Sequence, residues 1–166
     1  MTTPLVLLNR RTLLALEPLT GVLRWQVPLE DLPTRLFVTD HVAFVAVASA
    51  SGDPDHPGSV TAVSLASGAV LGTVPLPFGP SAGLVHEGHL YLAGRRGAAC
   101  LTEQGTVRWV AENERAGGLA GVHVDGDLVA HDASGRELWR VDRRETSAEA
   151  RPGLAIGAQV AQPDLR

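Results

Sequence analysis

Residues 15–25 read ALEPLTGVLRW, and the frame of this stretch recurs at 62–72, 99–109 and 129–139. In every copy a small or β-branched residue stands six positions before a glycine. A second marked residue stands four positions after that glycine. The marked pairs are Gly21 with Trp25, Gly68 with Gly72, Gly105 with Trp109, and Gly135 with Trp139. Since the four glycines are 47, 37 and 30 residues apart, the repeat predicts a modular β architecture.

Short β-branched runs bounded by Gly, Pro, Asp and Ser dominate the chain, and no window has a sustained helical period. We predict strands at 4–9, 12–17, 22–29, 34–39, 42–49, 59–65, 70–76, 81–86, 89–94, 97–102, 106–111, 119–124, 127–132 and 136–142. Turns are marked by the four repeat glycines and by Glu87-Gly88 and Asp125-Gly126, because glycine readily takes φ > 0. A strand about every 8–12 residues is typical of a sandwich, barrel or propeller. The longer repeat period favours the propeller, in which four-stranded blades pack on one another.

The pattern Ala-x-Glu-x-x-Thr-Gly-x-x-x-Trp at 15–25 resembles the repeat of quinoprotein-type (PQQ-like) β-propellers, which usually has Asp where this chain has Glu17. The resemblance is partial in the third and fourth copies, and the second copy has Gly72 in place of Trp. It implies an all-β propeller of about four PQQ-like blades. It also implies that Trp25, Trp109 and Trp139 pack between blades, as we expect for large aromatics in an aromatic-poor chain.

The number of blades leaves two arrangements open. Propellers of this type usually carry seven or eight blades, so four copies form either a small closed ring or half of a larger ring that a second chain completes. We expect residues 1–166 to form one repeat domain. Residues 153–161 read GLAIGAQVA and resemble a first strand, so they are a candidate ring-closing strand that would cover an exposed sheet edge. The fourth copy is short, which indicates either a missing strand or a shifted alignment.

Composition excludes several classes of function. The chain has 166 residues, 45% of them apolar, with 18 Gly and 11 Pro, which indicates a turn-rich globular domain. Its net charge of -4 argues against a nucleic-acid surface. The lone Cys100 cannot form an intramolecular disulfide, and its apolar surroundings favour a buried filler. The apolar stretch at 4–8 is too short for a signal sequence or membrane span, so we expect a cytoplasmic protein that does not bind membranes.

No motif for a catalytic nucleophile, a phosphate loop or a zinc site is present, so we expect neither an enzyme nor a cofactor. Two histidine-containing stretches are weak metal candidates. His86 and His89 flank a tight hairpin, with no third ligand indicated. Asp53, Asp55 and His56 lie in the longest loop and could together hold a cation. The prolines and glycine of this loop already account for it as a rigid surface loop without a metal.

Paired arginines are the most specific candidate binding residues. Arg10 and Arg11 lie in the turn between the first two strands of copy one, and Arg95 and Arg96 lie in the corresponding turn of copy three. The loop that holds Asp53, Asp55 and His56 occupies this turn in copy two. Because equivalent turns of a propeller emerge on one face, we expect these turns and the linkers 30–33 and 78–80 to share one rim. Arginine side chains bind carboxylates and phosphates and are frequent at protein interfaces, and binding residues often lie on such loops. The simpler interpretation is that these arginines are solvated side chains at hairpin tips.

These features favour a non-enzymatic scaffold or adaptor that binds another protein in a cytoplasmic assembly. The alternative is a small-ligand or carbohydrate-binding module, lectin-like or a sensor, with pockets between blades. The chain has one Tyr for sugar stacking and its turns diverge, so the scaffold ranks first. A homodimer is expected if two chains share one ring. Nothing in the sequence identifies the partner.

Overall fold

The structure is a computed structural model, and it describes residues 2–48, 57–94, 96–112, 119–125, 127–132, 134 and 136–141. Over these ranges the chain forms fourteen β-strands. They are β1 (Leu5–Asn9), β2 (Thr12–Leu16), β3 (Leu23–Pro28), β4 (Arg35–Val38), β5 (Val42–Val47), β6 (Gly58–Ser64), β7 (Val70–Leu76), β8 (Ala82–His86), β9 (His89–Gly94), β10 (Gly97–Thr102), β11 (Val107–Glu112), β12 (Leu119–Asp125), β13 (Asp127–Asp132) and β14 (Glu137–Val141). The predicted strands match them in order, with ends that differ by at most two residues. The described ranges contain no helix long and apolar enough to cross a membrane.

The strands form four antiparallel sheets, which we call the first to fourth blades. The first blade is β1-β2-β3, the second β4-β5-β6-β7, the third β8-β9-β10-β11 and the fourth β12-β13-β14. Each is a meander in which neighbours in the chain are neighbours in the sheet. The strands β4, β8 and β12 lie beside one another, so these blades radiate from a common inner edge. This arrangement confirms the predicted all-β propeller architecture of about four blades.

Burial along the strands reports which blade faces are covered. All six residues of β5 are buried, because the second blade is packed between two others. Strands β9 and β10 of the third blade are buried almost throughout for the same reason. In contrast, alternate residues of β1 are exposed, with Leu5 at 49% and Leu7 at 40%. Over the residues that the structure describes, one face of the first blade is therefore uncovered.

Three apolar clusters join the blades in sequence. Leu13 and Val27 of the first blade pack with Ala43, Val45 and Val63 of the second. The second and third blades share a cluster that contains Phe44, Val60, Leu76, Phe78, Leu90, Leu92, Ala99 and Leu101. The third and fourth share one that contains Tyr91, Cys100, Trp109, Leu128, Ala130 and Leu138. The core of the molecule is thus distributed between blades.

The marked Trp and Gly of successive copies meet between blades. Trp25 packs against the first of these clusters and donates its indole N–H to the Leu65 carbonyl, 2.9 Å away. Gly68 has φ +76°, and a Cβ there would lie 2.8 Å from the Trp25 ring. Only glycine meets both demands, since it has no Cβ and takes φ > 0 at little cost. The repeat glycine therefore takes the positive φ that its own turn requires, and it leaves space for the tryptophan of the preceding blade.

A β-bulge recurs at one position of the repeat. Register shifts follow Ala15 in the first blade, Ala62 in the second, Cys100 in the third and Ala130 in the fourth. Each of these residues pairs with the marked position, which is Trp25, Gly72, Trp109 or Trp139. A bulge increases local strand twist, so all four copies share this distortion of the outer strand.

The fourth blade has three strands over the described residues, because β12 pairs directly with β13 and β13 with β14. The short spacing of the fourth copy therefore reflects one strand fewer. Val122, Val124, Leu128 and Ala130 face the third blade. The side chain of Trp139 and the candidate closing strand 153–161 lie outside the described residues, so the ring-closing role of that strand stays a prediction.

Candidate functional site

Backbone hydrogen bonds tie the β1–β2 and β9–β10 turn regions to the linkers between blades, and this end of the blades is the rim. The N–H of Leu29 donates to the Arg11 carbonyl over 2.7 Å, which joins the first turn to the first linker. The N–H of Gly58 donates to the Phe78 carbonyl over 3.1 Å. In the third blade, the N–H of Ser81 donates to the Ala93 carbonyl over 3.0 Å. Equivalent turns and linkers thus lie together at corresponding blade ends.

The structure places three of the predicted rim arginines. Arg10 and Arg11 are exposed in the β1–β2 turn, and Arg96 is exposed in the β9–β10 turn. Arg10 has φ 53°, an unusual left-handed conformation for a residue with a side chain. The other predicted rim residues, Arg95, Asp53, Asp55 and His56, lie outside the described residues.

The rim carries acidic as well as basic side chains. Glu30 and Asp31 are exposed in the linker that follows β3. Leu32, next in the chain, is 60% exposed and adds an apolar side chain to the same segment. The rim is therefore a surface of mixed charge with apolar content. The linker 30–33 was predicted to share the rim, but no binding role was predicted for its two carboxylates.

A cleft of about 200 Å³ opens between β3 and the outer strands of the second blade. Its walls are Val27, Pro28, Leu29, Glu30, Asp31, Val45, Val47, Ser59, Thr61, Val70 and Thr73. The hydroxyls of Thr61 and Thr73 lie 3.0 Å apart and hydrogen-bond to each other. The cleft therefore offers apolar contacts from its valines and polar contacts from its hydroxyls and two carboxylates. Nothing in the sequence marks it, because its walls come from several strands and two blades.

A second depression, of about 480 Å³, lies at the opposite end of the first two blades. Its lining includes Thr2, Arg24, Asp40, His41 and Ser64. The Arg24 guanidinium donates to the Thr2 carbonyl over 2.8 Å and also to the Glu17 carboxylate. The hydrogen bond from Arg24 lowers the pKa of Glu17 below its usual value. Arg24 is thus already engaged within the chain.

The predicted histidine pair lies across the turn between β8 and β9, where His86 pairs with His89. The Nδ1 atom of His89 lies 2.8 Å from the Glu87 carbonyl, and its Nε2 lies 2.7 Å from Arg108 Nη1. Both ring nitrogens of His89 thus have protein neighbours at hydrogen-bonding distance. Within the described ranges, no group of three His, Cys, Asp or Glu side chains is arranged to hold a metal.

Comparison with known proteins identifies the repeat. A family model described as "Outer membrane protein assembly factor BamB", a PQQ-type model, matches residues 56–161. This range covers well over half of the chain. A comparison with curated proteins gives no match.

Solved structures share the fold at low sequence identity. A KlHsv2 variant with loop 6CD replaced by a Gly-Ser linker has TM-score 0.57 and 10% identity, over 81% of this chain and 44% of that one. The Pan2 WD40 domain of Neurospora crassa has TM-score 0.52 and 13% identity, over 76% and 43%. BamB from Moraxella catarrhalis has TM-score 0.45 and 18% identity, over 86% and 50%. The chain spans about half the length of these structures.

The marked Trp and Gly pairs, the radial stack of meanders and the family match agree on one assignment. At their sequence identities, the KlHsv2 and Pan2 structures support the fold alone. The chain belongs to the PQQ-like β-propeller repeat family whose model bears the description of the outer membrane protein assembly factor BamB.

Proposed function

We propose that the chain is a non-enzymatic propeller scaffold that holds another protein against its rim as part of a cytoplasmic assembly. The observation that carries this proposal is the joining of exposed arginines, exposed carboxylates and a cleft at one end of the blades. Binding residues commonly lie on loops that a rigid scaffold positions. The description of the matched family, an assembly factor, supports a role in a protein assembly.

The size of the cleft favours a protein partner over a free ligand. Pockets for small molecules usually enclose about 300–1,000 Å³, whereas this cleft encloses about 200 Å³. A space of that size suits one side chain of a partner, and interfaces depend mainly on a few such anchors. Glu30 and Asp31, which line the cleft, favour a basic anchor whose aliphatic stem contacts the valine walls.

The mixed charges of the rim favour a partner that also carries both signs. Arg10 and Arg11 suit carboxylates, because guanidinium binds them through two parallel hydrogen bonds. Glu30 and Asp31 repel a polyanion, so a nucleic acid is a poorer fit than a folded protein. Such complementarity sets the association rate and the partner choice more than the affinity.

The proposal that the chain is not an enzyme rests on its candidate nucleophiles. Burial raises the pKa of the Cys100 thiol to about 12, so the thiol stays protonated at neutral pH. The chain contains no lysine, so no lysine amine is available for covalent catalysis.

A small-ligand module is the second candidate, and the depression at the opposite end favours it. Its volume of about 480 Å³ is within the usual range for ligand sites. Asp40, His41 and Ser64 supply polar groups there. However, Arg24 already binds Thr2 and Glu17, so an anionic ligand would have to displace these contacts.

Affinity capture from the native host with identification by mass spectrometry tests the scaffold proposal. The test variant replaces Arg10, Arg11, Arg95 and Arg96 with Ser, and a second variant, Thr61→Phe, fills the cleft. We expect a stoichiometric partner with the wild-type chain and at least a tenfold loss with the rim variant. The difference should shrink at high salt, because screening weakens the wild-type attraction.

The matched control is the double variant Arg108→Ser, Arg136→Ser, which removes arginines outside the rim. It should capture the partner as well as wild type. Equal capture by the rim variant and wild type would show that the rim is only a solvated surface. A bound metabolite without a protein partner, lost on Asp40→Asn, would favour the small-ligand module.

The compartment is tested separately, by fractionating cells that express the full-length natural protein. We expect the protein in the cytoplasmic fraction with its partner. Recovery from the cell envelope would move the proposed assembly to that compartment, without changing the rim as the binding surface.

A further inference from the structure

The depression at the end opposite the rim, which we call the basal depression, is enclosed by four separate segments of the first two blades. These segments are the residues before β1, strand β3, the β4–β5 turn and the end of β6, and they contribute Thr2, Arg24, Asp40 and Ser64 respectively. Because the segments are distant in sequence, the site exists only once the two blades have stacked.

The β4–β5 turn is fixed by a buried hydroxyl. Thr39 is 9% exposed, and within the described ranges it is the one buried polar or charged residue. Its hydroxyl accepts hydrogen bonds from the N–H groups of His41, 3.3 Å away, and Val42, 3.0 Å away. Its own N–H donates to the Val42 carbonyl over 2.9 Å. Such side-chain to backbone bonds set the conformation of a turn, so Asp40 is presented from a rigid support.

Two further hydrogen bonds connect this turn to the rest of the wall. The N–H of Leu65, at the end of β6, donates to the His41 carbonyl over 2.9 Å. The Leu65 carbonyl in turn accepts the indole N–H of Trp25, also over 2.9 Å. A chain of hydrogen bonds thus runs from the second blade to the first. Walls that are already ordered lower the entropic cost of binding a ligand.

The positive charge in the lining is balanced within the chain. The Arg24 guanidinium donates to the Glu17 carboxylate, and to the carbonyl and hydroxyl oxygens of Thr2 over 2.8 Å each. The Thr2 hydroxyl also donates to Glu17 Oε1 over 3.0 Å. Arg24 and Glu17 therefore neutralise each other and hold the segment before β1 in place.

Asp40 supplies a negative charge without such compensation. Its side chain is exposed, and its carboxylate has no hydrogen-bond or ion-pair partner over the residues that the structure describes. With Arg24 balanced by Glu17, Asp40 leaves one net negative charge on the basal depression. Beside it, the Ser64 hydroxyl adds a polar contact, and Pro4 and Ala66 add apolar surface.

We propose that the basal depression binds a small organic amine, with the ammonium group on Asp40 and the carbon chain against Pro4 and Ala66. A charge-assisted hydrogen bond from an ammonium to a carboxylate is stronger than one between neutral groups. An anionic ligand fits less well, because Asp40 repels it and Arg24 is already bound. This inference rests on the small-ligand candidate function and does not depend on partner binding at the rim.

Titration followed by NMR of the backbone amides tests the proposal. The probes are n-butylammonium, 1-butanol and butyrate, which share a carbon chain and differ in charge. We expect n-butylammonium to cause saturable shifts at Asp40, His41 and Ser64, with a dissociation constant in the millimolar range because the probe is small. The alcohol and the carboxylate should bind at least about fivefold more weakly. The amine should also bind more weakly at high salt, because salt screens an exposed charge.

Asp40→Asn should weaken n-butylammonium binding by at least about fivefold. The matched control is Asp31→Asn, which removes another exposed aspartate, at the rim end, and it should bind the amine at the basal depression like wild type. Unchanged binding by Asp40→Asn, or loss with Asp31→Asn alone, would overturn the proposal. Circular dichroism of both variants verifies that the fold is retained.

The same titrations separate this proposal from the functions on which it depends. Tighter binding of 1-butanol or butyrate at the basal depression would refute the amine while supporting the small-ligand candidate. If no probe caused saturable shifts up to about 50 mM, a concentration well above millimolar dissociation constants, both would be rejected. Capture of a protein partner by Asp40→Asn should equal that by wild type, so the scaffold proposal is decided separately.

Discussion

The first and third blades carry leucine at three of four equivalent positions, with Ala99 of the third blade in place of Leu14, and they differ most in what covers these residues. Leu92 of the third blade is fully buried by the second blade, whereas the equivalent Leu7 is 40% exposed. The first and third blades therefore each carry two apolar faces, although they occupy different positions in the stack. Position then decides which faces form core and which form surface, so identical residues have structural roles in one blade and are available for binding in another.

The interfaces between blades differ in a second way. Between the first and second blades, Trp25 fills the space beside Gly68. Between the second and third, Gly72 takes the Trp position, and a Cβ on Gly105 would lie 2.7 Å from the Cβ of Ala62. Where Gly72 replaces the tryptophan, small residues of the two blades approach each other closely, and the second and third blades still pack together.

The largest expected effect is the loss of a buried tryptophan. Trp109 is 1% exposed, so Trp109→Ala should lower the free energy of unfolding by about 3–5 kcal/mol. Trp25 is only partly buried, and Trp25→Ala should cost less. Urea denaturation of both variants measures the difference. If Trp25→Ala left stability unchanged, its packing between blades would be energetically irrelevant.

The leucine pair gives the next effect and compares the two blades directly. Leu92→Ala should cost about 2–5 kcal/mol, because it leaves a cavity in a covered core. Leu7→Ala should cost about 1 kcal/mol or less, because much of its side chain is already in water. Equal losses in thermal or urea unfolding would mean that the first blade is as well covered as the third.

The buried thiol of the third blade predicts a pH dependence. Desolvation by burial raises the pKa of Cys100 from 9.0 to about 12. The unfolded chain therefore loses this proton first, and stability should fall as pH rises from about 9, by up to about 1.4 kcal/mol per pH unit. Cys100→Ala should lack this component, so the difference between the two unfolding curves isolates it. A difference independent of pH between 8 and 11 would contradict the raised pKa.

The smallest effect concerns the rim turn of the first blade. Arg10 has φ 53°, whereas its neighbour Arg11 has no positive φ. Arg10→Gly should therefore be neutral or stabilise by up to about 1 kcal/mol, because it removes a left-handed side-chain conformation. Arg11→Gly should destabilise by about 0.5–1 kcal/mol. Thermal unfolding of the pair checks the opposite signs, and equal losses would show that the turn is not strained at Arg10.

The strands and turns were predictable from sequence because their signals are local. Alternating apolar runs and marked glycines such as Gly21 and Gly105 set the strands and hairpins within each blade. The resemblance to PQQ-like repeats predicted that Trp25 packs between blades, although not that its ring lies against Gly68. That contact joins residues 43 positions apart, and its geometry depends on how two blades stack.

The candidate site was predicted only in part. Paired arginines marked the β1–β2 and β9–β10 turns as candidate binding positions, and their role in binding stays a prediction. The cleft was missed because Val27, Thr61 and Thr73 come from different strands and have no motif in common. The exposure of Leu7 was also missed, because Leu7 and Leu92 have the same pattern in sequence and differ in the neighbouring blade.

Thiol labelling at these two positions tests the central claim, that equivalent faces are open in the first blade and covered in the third. Leu7→Cys and Leu92→Cys are made separately in the Cys100→Ala background and labelled under identical native conditions. We predict that Cys at position 7 reacts at nearly the rate of an unfolded control, and that Cys at position 92 reacts at least a hundredfold more slowly. Equal rates at the two positions would contradict the claim.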